Sequence, residues 1–193
     1  MKTMMLLSKG YEETEAITVI DYLRRAEIPV DVVATEGKLE TEGAHHIHIT
    51  ADHLLEEIDP KAYDLVITPG GMGGVKALMA NEQVITLLQN QKEAGKEIAS
   101  ICASPLVLNK AGISEQIKGT VYPGLEEQMS FKEHVNDEPV VYDEKEKVMT
   151  SQGPATAVYF ALAIIENLKG KEVAQAIAND LLLPQVEAWV LEK

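Results

Sequence analysis

The order of apolar segments along the chain is the feature that most limits its fold. The apolar run TMMLL at residues 3–7 is followed by helical periodicity over residues 12–27 and by a second apolar run, VDVVA, at residues 30–34. A strand, a helix and a strand in this order pair in parallel through a right-handed crossover. Strands and helices alternate in the rest of the chain as well. This pattern predicts a single α/β domain over residues 1–193, arranged as a doubly wound three-layer sandwich with a mostly parallel sheet.

Further segments extend this alternation. Each is predicted from apolar periodicity and from the glycine and proline residues that bound it. The predictions are a hairpin at residues 39–50, a helical turn at 54–58, strands at 64–68, 98–101 and 120–122, helices at 75–79, 82–94 and 155–168, a helical segment at 126–131, a hairpin from 140–142 and 148–151, a last helix at 172–180, and a tail containing Trp189.

Composition narrows the class of function. The net charge is −14 and no basic run occurs, which argues against nucleic acid and anionic membrane as partners. The start of the chain lacks the features of a signal peptide, and no apolar run is long enough to predict a spanning helix. A single cysteine allows no internal disulfide. We therefore expect the protein to work in a reducing cytoplasm.

That single cysteine lies in the segment KEIASICASPLVL at residues 96–108, which predicts a strand, a sharp turn and a helix. Cys102 would lie at the carboxyl end of the strand, where open α/β sheets bind ligands. The amino end of the following helix would lower the pKa of its thiol. A buried structural cysteine also fits this residue type. The position favours a reactive thiol in a turn like a nucleophile elbow, although the flanking glycines are missing.

Three carboxylates follow the first predicted strand, at Glu12, Glu13 and Glu15. Acidic residues at a helix start are common because they interact well with the helix dipole. A carboxyl group held against Cys102 would, however, have a raised pKa and could hydrogen-bond the thiolate or move a proton. Glu12 falls on the apolar face of the helix, Glu15 at its margin and Glu13 towards the other margin. Periodicity leaves the choice between Glu12 and Glu15 open.

The loop PGGMGG at residues 69–74 follows the strand at 64–68. It lacks the spacing of the dinucleotide-binding and P-loop motifs, and a flexible turn is one interpretation. The other is that Gly71 turns a backbone N–H into the crevice, beside the N–H of Ala103, as a pair of oxyanion donors.

The histidines offer Cys102 no partner close in sequence. Four of the five lie within residues 45–53, where HHIH places alternate residues on one face. No cysteine or carboxylate stands at ligand spacing there, so we predict no metal and no cofactor. No histidine follows His134. A Cys–His dyad therefore has no local support, and an amidotransferase-like hydrolase is the weakest functional alternative.

Four motifs occur in a fixed order along essentially the whole chain: SKGYEETEA, VITPGGMGG, ASICASP and TSQGPATAVYFAL. Together they resemble the ThiJ/PfpI family, in particular its parkinsonism-associated and bacterial YajL-like branch. The resemblance implies a flavodoxin-like three-layer α/β/α sandwich, of the class I glutamine amidotransferase-like kind, that forms a homodimer.

The resemblance also implies roles for particular residues. Cys102 matches an oxidation-prone nucleophile at an elbow, and Glu15 matches a protonated glutamate that hydrogen-bonds the thiolate. Glu12 matches a second carboxylate nearby, and Gly71 and Ala103 match the backbone donors. The resemblance thus selects Glu15, a choice that periodicity leaves open.

Three further positions bear on the resemblance. Arg25 matches an arginine near the dimer interface and the partner's site. The protease-like branch has a histidine where this chain has Ala103, which makes peptidase activity doubtful. Tyr122 and Gln152 stand where the animal branch has a histidine and an arginine, so the roles of those groups do not carry over.

Two functions follow from the resemblance. The first is a cysteine-dependent enzyme acting on reactive dicarbonyls, either glyoxalase III-like, converting methylglyoxal to lactate, or a deglycase acting on glycated protein. The alternative is a redox sensor or oxidation-regulated chaperone in which Cys102 is oxidised to sulfinic acid.

Overall fold

A computed structural model describes residues 1–192. Seven strands form one central sheet, and the four remaining short strands form two separate pairs. In chain order the strands are β1 (Thr3–Leu7), β2 (Val30–Ala34), β3 (Glu40–Glu42), β4 (His48–Thr50), β5 (His53–Leu54), β6 (Leu65–Thr68), β7 (Glu97–Ile101), β8 (Lys118–Gly119), β9 (Glu133–His134), β10 (Val140–Asp143) and β11 (Val148–Ser151).

Helices cover both faces of the central sheet. They are α1 (Glu13–Arg25), α2 (Met72–Ala80), α3 (Glu82–Glu93), α4 (Pro105–Lys110), α5 (Ala157–Lys169), α6 (Lys171–Asp180) and α7 (Leu183–Leu191). Helix α1 packs on α5, and α5 packs on α6, whereas α2 contacts α3 and α4. Right-handed crossovers that leave β1 and β6 in opposite directions along the sheet put these two groups on opposite faces. The predicted three-layer sandwich is confirmed.

The strand order of the central sheet is β10-β11-β7-β6-β1-β2-β5, and only β10 runs antiparallel to its neighbour. The five longer parallel strands, numbered among themselves in chain order, read 2-1-3-4-5, which is the flavodoxin-like order. All five residues of β1 are buried, because helices cover the sheet on both sides. The predicted mostly parallel sheet is therefore confirmed.

The direction of winding reverses between β1 and β6. From β1 the chain proceeds to β2 on one side, whereas β6, β7 and β11 follow one another on the other side. In open α/β sheets a crevice forms outside the carboxyl ends of the strands at such a switch point. The residues after β1, β6 and β7 therefore meet at one edge of the sheet.

Most predicted elements are confirmed, and two between residues 120 and 131 are wrong. The predicted hairpin at residues 39–50 is the antiparallel pair of β3 and β4, and a helical turn occurs at Leu55–Glu57. Residues 120–122 do not form the predicted strand, because their backbone N–H groups bond elsewhere: that of Thr120 to a side-chain oxygen and that of Tyr122 to the carbonyl of Cys102. The predicted helical segment at 126–131 is only the turn Glu126–Gln128, since the chain turns extended at Met129.

The end of the chain differs from the prediction as well. The predicted tail around Trp189 is the helix α7. Leu182, with φ +62°, separates it from α6, and a left-handed residue of this kind ends one helix without the aid of glycine. Within residues 1–192, no helix combines the length and the apolar character needed to cross a bilayer.

Candidate active site

Cys102 occupies a strained turn directly after β7. Its φ is +66°, a conformation that costs a non-glycine residue about 1–2 kcal/mol. Two hydrogen bonds hold the turn: the Cys102 N–H donates to Ser151 O at 2.8 Å, and the Cys102 carbonyl accepts from Tyr122 N at 2.9 Å. The side chain is 8% exposed. The predicted strand, sharp turn and helix are confirmed, and the turn has the geometry of a nucleophile elbow.

The Glu15 carboxyl lies beside the thiol. Its residue is fully buried, and its Oε2 accepts the N–H of Gly70 at 2.7 Å. A Cβ added to Gly70 would lie 2.6 Å from both Glu15 Oε2 and Cys102 Cβ, and 2.9 Å from Cys102 Sγ. Both side chains therefore line the space that a side chain at residue 70 would fill. Only glycine at this position lets the carboxyl and the thiol meet.

The two groups change each other's ionisation. Burial, helped by the negative charge of Glu12, raises the pKa of Glu15 from its usual range to about 7. Burial also raises the pKa of Cys102, and the charge of Glu15 raises it further, to about 12. The expectation that the helix end lowers the pKa of this thiol is therefore wrong. Desolvation and the carboxylate outweigh the Ala103 and Gly71 N–H groups, which lower the pKa of the thiol.

A hydrogen bond couples the ionisation of the two groups. The repulsion that opposes the thiolate belongs to the ionised form of Glu15, and it vanishes when Glu15 carries the proton. The backbone N–H groups of Ala103 and Gly71 act in the other direction and lower the pKa of the thiol. Glu15 Oε1 is buried and has no hydrogen-bond partner among residues 1–192. A proton on Glu15 therefore removes a repulsion that opposes the thiolate.

Gly71 brings its N–H to the sulfur through a conformation that few other residues adopt. Its φ is +84°, and a Cβ there would lie 2.4 Å from Gly10 O and 2.5 Å from Glu12 N. The neighbouring Gly70 carbonyl accepts the Glu12 N–H at 2.9 Å. The loop after β6 thus packs directly on the backbone that follows β1. The Gly71 and Ala103 N–H groups both lower the pKa of the thiol, as a pair of hydrogen-bond donors to an anion would.

Glu12 and Glu13 have different surroundings from Glu15. Glu12 is half-buried and caps α1, its Oε2 accepting the Glu15 N–H at 2.7 Å. Glu13 is 3% exposed, and its carboxylate accepts the backbone N–H and contacts the ring Nδ1 of His45, at 2.6 and 2.8 Å. Burial alone would raise the pKa of Glu13, but these hydrogen bonds outweigh it and hold the pKa below its usual range. Only Glu15 combines full burial with contact to Cys102.

Sequence reasoning missed the role of Glu13. The signal that could have found it is the glycine of the β3–β4 loop, because a Cβ on Gly43 would lie 2.3 Å from Glu13 Oε1. The pairing also brings His45 to the start of α1. One ligand atom from each of Glu12, Glu13 and His45 lies within 4.8 Å of the other two, so this group could hold a metal ion.

Glu15 is the charged group that raises the pKa of the Cys102 thiol. Of the other histidines, His46 pairs with Glu42 at 2.7 Å and His134 stacks on Phe131. Within the described residues, the hydrogen-bond partners of the Cys102 thiol are Glu15, Ala103 and Gly71, and none of them is a histidine.

The three remaining positions, Tyr122, Gln152 and Arg25, make different contacts. Tyr122 is 47% exposed and adjoins the site through its N–H bond to the Cys102 carbonyl. Gln152 donates to Thr120 Oγ1 and to Asn136 O. Arg25 forms an exposed ion pair with Asp21 at 2.7 Å, ten residues or about 15 Å along α1 from Glu15. One copy of the chain does not bring Arg25 to the site.

The sequence of the chain is similar to those of known proteins. The profile of the DJ-1/PfpI family matches residues 1–167. Protein dj-1beta of Drosophila melanogaster is 38% identical over 181 residues, which are 93% of this chain and 96% of that protein. Glutathione-independent glyoxalase DJR-1.2 of Caenorhabditis elegans is 33% identical over 184 residues, 93% of this chain and 95% of that protein. Protein DJ-1 homolog B of Arabidopsis thaliana is 36% identical over 92% of this chain, but the chain spans only 40% of its length.

Solved structures agree with the sequence matches. The crystal structure of Drosophila melanogaster DJ-1beta superposes with a TM-score of 0.88 at 38% identity, covering 94% of this chain and 97% of the other. Oxidized DJ-1 of Toxoplasma gondii gives a TM-score of 0.88 at 34% identity and the same coverage. The family match, the near-complete coverage and the shared fold lead to one conclusion: the chain belongs to the DJ-1/PfpI family.

Proposed function

We propose that the chain is a cysteine-dependent enzyme that converts small reactive dicarbonyls to hydroxy acids, with methylglyoxal to lactate as the representative reaction. One observation carries the proposal: a thiol in a strained turn shares a buried space with a carboxyl group whose pKa is about 7. A general acid and base works best when its pKa lies near the working pH. The Caenorhabditis elegans relative that is named a glyoxalase supports the same reaction class.

The first step is attack on the aldehyde. The reactive form of the pair has the proton on Glu15 and the negative charge on Cys102 Sγ. The sulfur forms a bond to the aldehyde carbon, and the carbonyl electron pair moves to its oxygen. The Gly71 and Ala103 N–H groups, which act on the thiol in the free protein, stabilise this developing charge. Glu15 then gives its proton to that oxygen, which leaves a hemithioacetal and an ionised carboxylate.

The second step moves a proton between carbons. The Glu15 carboxylate removes the proton from the carbon bound to sulfur, and the electron pair forms an enediolate with the neighbouring carbonyl. Glu15 returns the proton to that neighbouring carbon, while the first oxygen passes its proton to the neighbouring oxygen and becomes the carbonyl of a thioester. Water breaks the carbon–sulfur bond, which releases lactate and restores the thiol. The sum is one dicarbonyl and one water to one hydroxy acid.

The size of the opening favours small substrates. Cys102 is 8% exposed and Glu15 is fully buried, so the carbon that reacts must pass into a narrow space. A three-carbon dicarbonyl fits this requirement better than an adduct on a folded protein surface. We therefore place the deglycase reaction second to the glyoxalase reaction.

The experiment compares methylglyoxal consumption by the wild-type protein with that by the Cys102→Ser and Glu15→Gln variants. We expect Cys102→Ser to abolish turnover and Glu15→Gln to lower kcat by at least about 100-fold, the usual contribution of a general base. Ser114→Ala is the control, because that hydroxyl binds Asn109 and not the site. Turnover of Cys102→Ser at the wild-type rate would refute the proposal.

A second function is favoured by the buried oxygen of Glu15. Peroxide converts a thiolate first to sulfenic and then to sulfinic acid, adding one oxygen at each step. A proton on the partnerless Glu15 Oε1 could hydrogen-bond an oxygen added to Cys102. This redox-sensor or chaperone function predicts a discrete two-oxygen mass increase after mild peroxide treatment, absent in Cys102→Ser. The enzyme proposal is favoured over it if dicarbonyl turnover is found.

We also propose that the chain forms a homodimer through α1 and the β3–β4 hairpin. Ile17 on α1 and Ile47 in the hairpin loop are 42% and 49% exposed, and apolar side chains of this size favour burial. Arg25 lies on the same helix, where a second copy could bring it to the partner's site. Sedimentation of the wild-type protein and of Ile17→Asp tests this: a dimer that becomes a monomer supports it, and a wild-type monomer refutes it.

A further inference from the structure

We propose that Glu12, Glu13 and His45 form a binding site for a first-row divalent transition-metal ion such as Zn²⁺. Each residue contributes one ligand atom, and the three atoms lie within 4.8 Å of one another. The glutamates belong to the start of α1, and the histidine belongs to the loop between β3 and β4. The site adjoins the Cys102–Glu15 pair, because Glu12 accepts the Glu15 N–H, but the proposal does not rest on the enzymatic function.

The set of donor atoms determines the kind of ion. Two carboxylates and one imidazole suit Zn²⁺ and its neighbours, whereas Mg²⁺ and Ca²⁺ prefer oxygen ligands alone. Zinc bonds of about 2.0–2.1 Å in tetrahedral geometry separate ligand atoms by about 3.3 Å. His45 Nδ1 and Glu13 Oε2 are 2.8 Å apart, so they need to open by about half an ångström. The His45 side chain is 71% exposed and can turn to do so.

Both carboxylates are already oriented by hydrogen bonds from the backbone. Glu13 Oε1 accepts the N–H groups of His45 at 2.6 Å and of Ile47 at 3.4 Å, which leaves Oε2 to face the histidine ring. Glu12 Oε2 accepts the Glu15 N–H at 2.7 Å, which leaves Oε1 for a ligand bond. Partners of this kind hold ligands in position and strengthen metal binding. The site therefore needs little ordering when the ion arrives.

Local charge also favours a cation. The amino end of α1 carries partial positive charge, which opposes binding. Against it stand the carboxylates of Glu12 and Glu13, and the net charge of the chain is −14. The nearby Lys9 ammonium pairs with Glu42 at 3.0 Å and so does not neutralise the two ligand carboxylates. The half-burial of Glu12 and the exposure of His45 leave room for a water as the fourth ligand.

The proposed site is not formed by the histidines of the HHIH pattern alone, for which we predicted no metal. The two other histidines of that pattern pair with separate carboxylates: His46 with Glu42, and His48 with Glu40 at 3.5 Å. They do not converge on one ion. The carboxylates that complete the site come from a helix about 30 residues earlier, so no local spacing could indicate them.

Calorimetric titration of Zn²⁺ into tag-free protein tests the proposal. The Cys102→Ser variant serves as the reference, because a thiolate also binds Zn²⁺. We expect one equivalent to bind to this reference. His45→Gln and Glu12→Gln, made in the same background, should each lower the association constant at least about tenfold, the usual minimum even for outer-shell partners. The side chains of both positions are exposed or half-buried, so these variants should fold, which circular dichroism verifies.

His46→Gln is the matched control, because that histidine lies in the same loop but binds Glu42 instead. It should bind Zn²⁺ as the reference does, and Mg²⁺ should give no heat with any of the proteins. Absence of Zn²⁺ binding in the reference would overturn the proposal and leave His45 and Glu13 as a hydrogen-bonded pair only. Equal weakening in His45→Gln and His46→Gln would overturn it as well.

Discussion

Relative to the wild-type protein, a variant without the ionisable group of Glu15 should become more stable as the pH rises. In the folded state its pKa is about 7, against 4.5 ordinarily, so the buried carboxyl resists ionisation. A group with a raised pKa contributes its full stability below pH 4.5 and loses it as pH rises through 7. The total loss is about 3 kcal/mol, of which about 2.5 kcal/mol falls between pH 5 and pH 8. Glutamine has no proton to lose and avoids this loss.

The measurement is urea unfolding of the wild-type protein and of Glu15→Gln at pH 5, 6, 7 and 8, at one protein concentration. Relative to wild type, the free energy of unfolding of the variant should rise by about 2.5 kcal/mol across this range. Glu93→Gln, an exposed carboxylate on α3, is the control, and its curve should run parallel to wild type. A difference between Glu15→Gln and wild type that stays constant from pH 5 to pH 8 would refute the assignment of a raised pKa to Glu15.

Three further substitutions test the geometry of the site. Gly70→Ala puts a Cβ 2.6 Å from Glu15 Oε2 and should lower the free energy of unfolding by about 1–3 kcal/mol. It should also slow the alkylation of Cys102 by iodoacetamide, and an unchanged alkylation rate would contradict this geometry. Gly71→Ala should cost more than Gly112→Ala in urea unfolding, since both have positive φ but only Gly71 meets a backbone oxygen at 2.4 Å; equal costs would show that the contact is unimportant. Cys102→Gly should be about 1 kcal/mol more stable than Cys102→Ala, because glycine relieves φ +66°, and the reverse order would exclude strain there.

The sequence pattern predicted correctly those elements whose buried residues recur with a regular period. The strands at Thr3–Leu7 and Val30–Ala34 are found as predicted, because a strand covered on both faces must be continuously apolar. The prediction failed at residues 120–122, where the sequence looks like a strand but the Tyr122 N–H supports the Cys102 turn and the Thr120 N–H bonds a side-chain oxygen. When a segment stabilises a functional turn, its own sequence does not reveal its hydrogen-bond partners.

The site shows the same division between sequence and structure. The placement of Cys102 after a strand was visible in the sequence, as was the loop of Gly70 and Gly71 after another. Periodicity could not separate Glu12 from Glu15, because both lie near one face of α1. The structure separates them by burial and by the Gly70 N–H, which comes from 55 residues away. It also reverses the expected direction of the Cys102 pKa, because desolvation depends on everything that surrounds the group.

The sequence by itself determined the alternation of strands and helices, the parallel winding that follows from it, and the strand ends at which polar and glycine residues gather. These are consequences of local periodicity and of the handedness of crossovers. Only the tertiary structure decided that Glu15 is buried beside Cys102, as the family resemblance implied but periodicity did not, and that His45 meets Glu12 and Glu13. Those outcomes depend on distances between residues remote in sequence, and on the exclusion of water between them, which no local pattern encodes.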